Sequence, residues 1–412
     1  MRRAERKTHL IRTGVELSAI FLALAILFAC SHTKSSQEIS QSSSHSSWDA
    51  KRAADYLDQR EVFWVGWSGA ERDHGTFCVA CHTALPYALA RPALRQTLGE
   101  NALTPSEQRL VENVTKRVAL WKEIAPYYSA TEYDKSKPEE SRGTESVLNA
   151  FLLANYDAQN GRMSDAGRAA FQNMWELQQT DGLLKGAWLW QQFNMEPFEA
   201  KDSPYYGACL AAIAVGMAPE NYRSDPAIQG QMKLLADYLG REFATQSTMN
   251  HVVLLWAASR LPGLITPERQ QAIIKEVSSE QQADGGWRLA PLAWPRDSIL
   301  RAFIRARWRA DGTRQYEGSD GYATAMIAYS LQLAGVPDGD PQLQRALGWL
   351  TQNQNREEGF WPSFSLTKRR APSSNVGHFM DDAATGFAVL ALSHGKAKSA
   401  VTENASTHLE VH

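Results

Sequence analysis

The chain has 412 residues, enough to bury one large core or two ordinary ones. Its 43 Lys and Arg stand against 45 Asp and Glu, a net charge of −2, which excludes a protein that grips nucleic acid by neutralising phosphates. Thirteen tryptophans (Trp 13 by count) supply large rings for a core or an apolar cavity.

Arg2, Arg3, Arg6, Lys7 and Arg12 precede an apolar run over 17–29, broken only by Ser18. The run is short for a bilayer span and suits the core of a signal peptide, with an uncleaved membrane anchor as the other reading. It ends in Leu27-Phe28-Ala29-Cys30, which resembles a bacterial lipobox with an untypical Phe28. That resemblance implies lipidation at Cys30. Residues 1–30 are expected to be a lipoprotein-like signal and 31–48 a serine-rich tether. Either reading places the body outside the cytoplasm, anchored to a membrane on the periplasmic side.

Next comes Cys78-Val79-Ala80-Cys81-His82. The motif resembles the attachment site of c-type cytochromes. The resemblance implies covalent haem c, with thioethers at Cys78 and Cys81, His82 as the iron ligand, and an electron-transfer partner. A redox disulfide, a zinc site with His82 and a structural Cys78–Cys81 disulfide are the alternatives. No methionine lies between His82 and Met163, so Met163, a later methionine or His74 would supply the second axial ligand, or none would.

Almost every later segment has helical periodicity. Stretches 205–217, 249–259, 321–334 and 383–392 are apolar nearly all round, as in helices buried on every side. Stretches 267–281 and 341–352 carry one apolar face. The alternation predicts two concentric rings of helices or a superhelical stack. Helix ends repeat a pattern of glutamine, glycine and tryptophan: Gln281 to Trp287, Gln354 to Trp361, and Gln178 to Gly182 with Trp188 and Trp190 arriving late. These turns resemble the repeats of the terpenoid cyclase and protein prenyltransferase superfamily over about 145–395. The resemblance implies an all-α fold, an α/α toroid over 141–395, behind a helical segment at 49–140 and before a flexible tail at 396–412. The repeated Gln, Gly and Trp residues themselves read as structural.

Phe379-Met380-Asp381-Asp382 resembles the Asp-x-Asp-Asp motif of squalene cyclases, with Phe379 in place of the first acid. That implies Asp381 as proton donor, Asp382 at the last position and an isoprenoid or other apolar ligand. Taken as residues alone, the two acids suit a helix N-terminus. His378 is set aside because adjacent helix residues do not face each other. Asp284, Asp297, Glu317 and Asp320 are further acids for carbohydrate chemistry, which needs a flanking pair. Arg296, Arg301, Arg305, Arg307 and Arg309, with Lys368, Arg369 and Arg370, form either a site for an anionic ligand or a solvated face. Cys209 stands alone, with no prenyltransferase-type zinc set. Three expectations result: a haem redox protein whose toroid binds an apolar ligand or partner, a lipid-modifying enzyme using Asp381, or a non-enzymatic scaffold.

Overall fold

The computed structural model describes residues 47–129, 134–296 and 298–407, with only the helix backbone given beyond 394. The expected signal, Cys30, nearly all of the tether and Asp297 lie outside the described residues. The described chain is all-α, as expected, apart from one ribbon of two-residue strands. In order the elements are α1 (Ala50–Gly66), β1 (Glu71–Arg72), β2 (Thr76–Phe77), α2 (Ala84–Leu98), α3 (Pro105–Ala119), α4 (Lys137–Asn160) and α5 (Asp165–Glu176). Then follow α6 (Ser203–Met217), α7 (Gln229–Glu242), α8 (Thr248–Arg260), α9 (Pro267–Ser279), α10 (Leu289–Leu292), α11 (Ile299–Arg305), α12 (Gly321–Leu333), α13 (Pro341–Gln352) and α14 (Phe379–Thr407). The last helix continues to Thr407, into the segment expected to be a loose tail, whose final residues 408–412 lie outside the described ones.

Burial separates the helices into two sets. Helix α6 is buried continuously from Ser203 to Val215 and α12 from Gly321 to Gln332, whereas α9 buries only Ile273 and Val277. The inner helices contact one another in a cycle: α2 on α4, α4 on α6, α6 on α8, α8 on α12, α12 on α14, and α14 back on α2. The half-buried α1, α3, α5, α7, α9 and α13 pack outside them. A helix surrounded by helices must be apolar on all faces, and one with a wet side needs a single stripe.

The repeated glutamine turns lock this arrangement. Nε2 of Gln281 donates to the Gly285 carbonyl at 2.9 Å and to the Gln342 carbonyl of α13 at 2.9 Å. Gln178 does the same with Gly186 at 3.0 Å and Gln231 of α7 at 2.9 Å. Gln354 reaches Gly359 at 2.9 Å and Asp49, the cap of α1, at 3.0 Å. The tryptophans then donate back to the preceding helix: Trp188 to Met174, Trp287 to Val277 and Trp361 to Leu350, at 2.6–2.7 Å. Gly359 sits at φ +93°, and a Cβ there would fall 2.3 Å from the Arg52 carbonyl of α1, so only glycine fits. In the Gln178 turn the matching glycine is Gly186, not Gly182; extra loop residues explain the late tryptophan.

The Cys-x-x-Cys-His segment belongs to the same unit, since 46–412 cluster together. Ahead of it, Arg117 of α3 and Glu145 of α4 form an ion pair at 2.5 Å with both side chains fully buried. Arg117 also donates to Thr76 at 2.6 Å, tying the β ribbon to the ring.

Glu61 of α1 is fully buried, and neither carboxyl oxygen has a hydrogen-bond partner among the described residues. Burial, with Asp382 and Asp58 adding to it, pushes its pKa from 4.5 up to about 8. The folded chain therefore keeps a proton that the unfolded chain releases above pH 4.5. Stability is lost as pH rises across that window, and the loss is complete above about 8. Glu61→Gln should leave the melting temperature nearly unchanged at pH 4 and raise it progressively from pH 5 to 8. The upper bound is about 1.4 kcal/mol for each pH unit. Melting curves of both proteins across that range test this; a constant difference would refute it.

Candidate functional site

The N-termini of the ring helices and the loops that feed them gather the polar chemistry. Helix α14 opens there, and its two acids have different fates. Asp382 has no exposed side-chain surface. Its Oδ1 accepts from Arg60 Nε at 2.7 Å and the Tyr56 hydroxyl at 2.8 Å; its Oδ2 accepts from Arg60 at 3.1 Å and the Thr83 hydroxyl at 2.7 Å. Both oxygens are fully used by donors from α1 and from the residue following the cysteine motif. Asp382 is an anchor, with no open lone pair for a substrate. Burial, reinforced by this carboxylate, holds the Tyr56 hydroxyl well above its usual pKa.

Asp381 faces the other way. One oxygen accepts the Ser363 backbone N–H at 2.7 Å and the other meets His378 Nδ1 at 2.9 Å. His378 lies three positions earlier, a spacing at which side chains do meet, so excluding it as a sequence neighbour was incorrect. The carboxylate raises the His378 pKa, and burial raises that of Asp381 against the opposing pull of His378 and Ser363. Asp381 opens onto a cavity of about 510 Å³ whose wall includes Arg309, Arg314, Lys368, Arg369 and Arg370. The rings of Tyr316 and Phe364 stack in that wall with centroids 4.0 Å apart. His378 also borders a second polar cavity of about 450 Å³ beside Arg52, Tyr56 and Arg60.

The other expected acids are committed elsewhere. Asp320 caps α12 through the Tyr322 and Ala323 N–H groups and holds the Ser363 hydroxyl at 2.9 Å. Burial lifts its pKa to about 7. Asp284 accepts from Gly286, Ser319 and Trp349, and Glu317 pairs with Arg314 at the surface. Among the sequence's basic cluster, Arg309, Lys368, Arg369 and Arg370 reach the cavity. Arg296 pairs with Glu276 and Arg305 with Glu196. Tyr316, Phe364 and Ser363 escaped the sequence reading; no motif marks them, and only the approach of two loops makes them neighbours.

The cysteine motif does not form the expected cofactor site. Cys78 and Cys81 are free thiols buried in the main core, with no disulfide between them. Trp64 donates to the Cys78 carbonyl at 2.7 Å, and the His82 ring lies 4.1 Å from Phe379 in a near-parallel stack with Trp64 against its edge. Its Nδ1 meets the Thr83 hydroxyl at 2.8 Å, and burial drives its pKa down to about 3. No three His, Cys, Asp or Glu side chains among the described residues gather as a metal-holding group. Haem c, iron and a cytochrome-like role are therefore corrected: the segment caps α2 and docks it on α14. The cyclase-like expectation is corrected too. Phe379, the departure from the acid motif, is the ring under His82, and the wall beside Asp381 is cationic instead of hydrocarbon.

No protein-family model and no curated protein matches the chain. Among solved structures it is similar to a glycosidase in a substituted form, at 12% identity over 84% of this chain and 98% of that one, TM-score 0.45. The wild-type glycosidase gives 13% identity over 84% and 98%, TM-score 0.43, and a polysaccharide lyase 12% over 84% and 89%, TM-score 0.35. Neither a cytochrome nor a terpenoid cyclase is among these three.

Two outcomes follow from the geometry. Asp382→Ala leaves Arg60 charged and unpaired in the interior and should cost about 3–5 kcal/mol, read by denaturant unfolding; a loss under 1 kcal/mol would contradict the anchoring role. Burial raises the Cys78 thiol to about 12 and holds the Cys81 thiol well above its usual value. Maleimide at pH 7.5 should therefore leave both unlabelled in the native protein and label both after denaturation.

Proposed function

We propose that the protein is an enzyme that cleaves an acidic carbohydrate chain, with Asp381 as the base. The observation that carries this reading is the composition of the Asp381 cavity: one acid, backed by a histidine, facing five cationic side chains and an aromatic pair. Arginine and lysine suit the carboxylates of uronate sugars, and a stacked Tyr316–Phe364 surface suits the apolar face of a sugar ring.

The charge balance also favours one chemistry. Hydrolysis of a glycoside uses two carboxyl groups flanking the bond, and Asp381 is the one acid in this wall. β-Elimination needs a cation on the uronate carboxylate, which acidifies the neighbouring C–H, and a base to take that proton. Here the C–H proton passes to Asp381, the electron pair becomes a carbon–carbon double bond, and the bond to the leaving sugar oxygen breaks. That oxygen takes its proton from water in the open cavity. His378 holds the carboxylate in place and stabilises its charged form.

Incubation with a panel of polyuronates should generate the ultraviolet absorbance of a conjugated double bond. Asp381→Asn should lower the rate by about 10²–10⁴ with an unchanged melting temperature. His378→Gln removes a group that depresses the Asp381 pKa, so the acidic limb of the kcat/KM profile should move to higher pH. New reducing ends without absorbance would exclude elimination, and an unaffected Asp381→Asn would exclude the base.

A further inference from the structure

One surface feature is unused by this reading. Helix α11 and its flanks hold out five large apolar side chains: Ile299 at 89% exposure, Leu300 at 68%, and Phe303, Ile304 and Trp308 about half exposed. Five of the nine large hydrophobic side chains exposed among the described residues fall within 299–308, so the exposure is concentrated there. The same stretch, 296–317, carries six arginines (Arg296, Arg301, Arg305, Arg307, Arg309, Arg314) against three acids, Asp297, Asp311 and Glu317.

We propose that α11 is a membrane-docking element that lies in the surface of an anionic lipid bilayer. Four features select this occupant. First, α11 buries none of its own residues. Its apolar groups stand outward on the helix, which suits insertion among acyl chains. Second, Arg307 lies over the Phe303 ring, 3.6 Å from its centroid, and Arg314 over Trp308 at 4.6 Å. Cations are therefore held directly beside the apolar groups, at the depth where lipid phosphates would lie. Third, Trp308 and the half-exposed Tyr316 are the aromatic types that favour the headgroup boundary. Fourth, among the described residues no helix is long and apolar enough to cross a membrane, so contact here is peripheral. Arg309 and Tyr316 also line the Asp381 cavity, so the docked face borders its mouth. The inference stands on exposure and charge and does not depend on the reaction assigned to Asp381.

Hydrogen–deuterium exchange on the full-length chain tests it. The protein is bound to vesicles of phosphatidylcholine with 30% phosphatidylglycerol, binding is verified by flotation, and exchange is read in peptides covering 298–308. Exchange should slow roughly tenfold relative to protein in detergent-free buffer, and this protection should weaken as ionic strength rises. The double variant Leu300→Asp/Phe303→Asp should lose the protection while keeping its melting temperature. Unchanged exchange in vesicle-bound protein would overturn the proposal. So would protection that appears without vesicles and grows with protein concentration, which would assign the face to a second copy of the chain.

Discussion

Three of the connections that lead from an outer helix toward an inner one, those after α5, α9 and α13, are held by a side-chain amide that belongs to two repeats at once. Gln178, Gln281 and Gln354 each donate one proton to their own turn and the other to the start of the next outer helix. The last of these reaches Asp49, at the beginning of the folded unit. The same interaction that spaces neighbouring hairpins therefore also joins the last hairpin to the first. Because these amides are part-buried or buried, losing one would strand both a donor and its carbonyl partners.

Closure has a chemical consequence. It brings α14 against α1 and α2, where Asp382 collects Arg60, Tyr56 and Thr83. A buried carboxylate satisfied by three side chains from two segments fixes the rotation of the first turn of α14. The helix period then sends Asp381 toward the Ser363 loop and the cationic cavity. One acid holds the frame, and its neighbour lines the cavity. The cysteine motif serves the same junction: His82 and Thr83 form part of the wall against α14, and the two thiols are packing groups.

The ring has a charged and an apolar side to its loop face. Arginines from 296–317 divide between them, some paired to Glu276 and Glu196, some turned to the cavity, some lying on aromatic rings. A polar chain and a lipid surface would thus meet adjoining parts of one face, the first through Asp381 and its cations, the second through α11.

The sequence by itself distinguished the stretches buried on all sides, 205–217, 249–259, 321–334 and 383–392, from the one-faced 267–281 and 341–352, because a helix surrounded by others and one with a wet face require different residue patterns. It also exposed the clasps, since Gln, Gly and Trp recur at the ends of α5, α9 and α13. It singled out Asp381, and it found Arg309, Lys368, Arg369 and Arg370 as a cluster. It could not show that Asp382 turns into the core while Asp381 meets the cavity, a difference set by the 100° that one residue turns a helix. It could not pair Asp381 with His378 until the helix start was fixed, nor seat Tyr316 on Phe364, which are 48 positions apart. The cysteine motif misled for a related reason. Three residues with the spacing of a haem site are a site only if the space beside them is open, and here both thiols are buried in the main core. Spacing is local and therefore legible; the contents of a cavity are set by contacts between distant segments, which only the closed ring supplies.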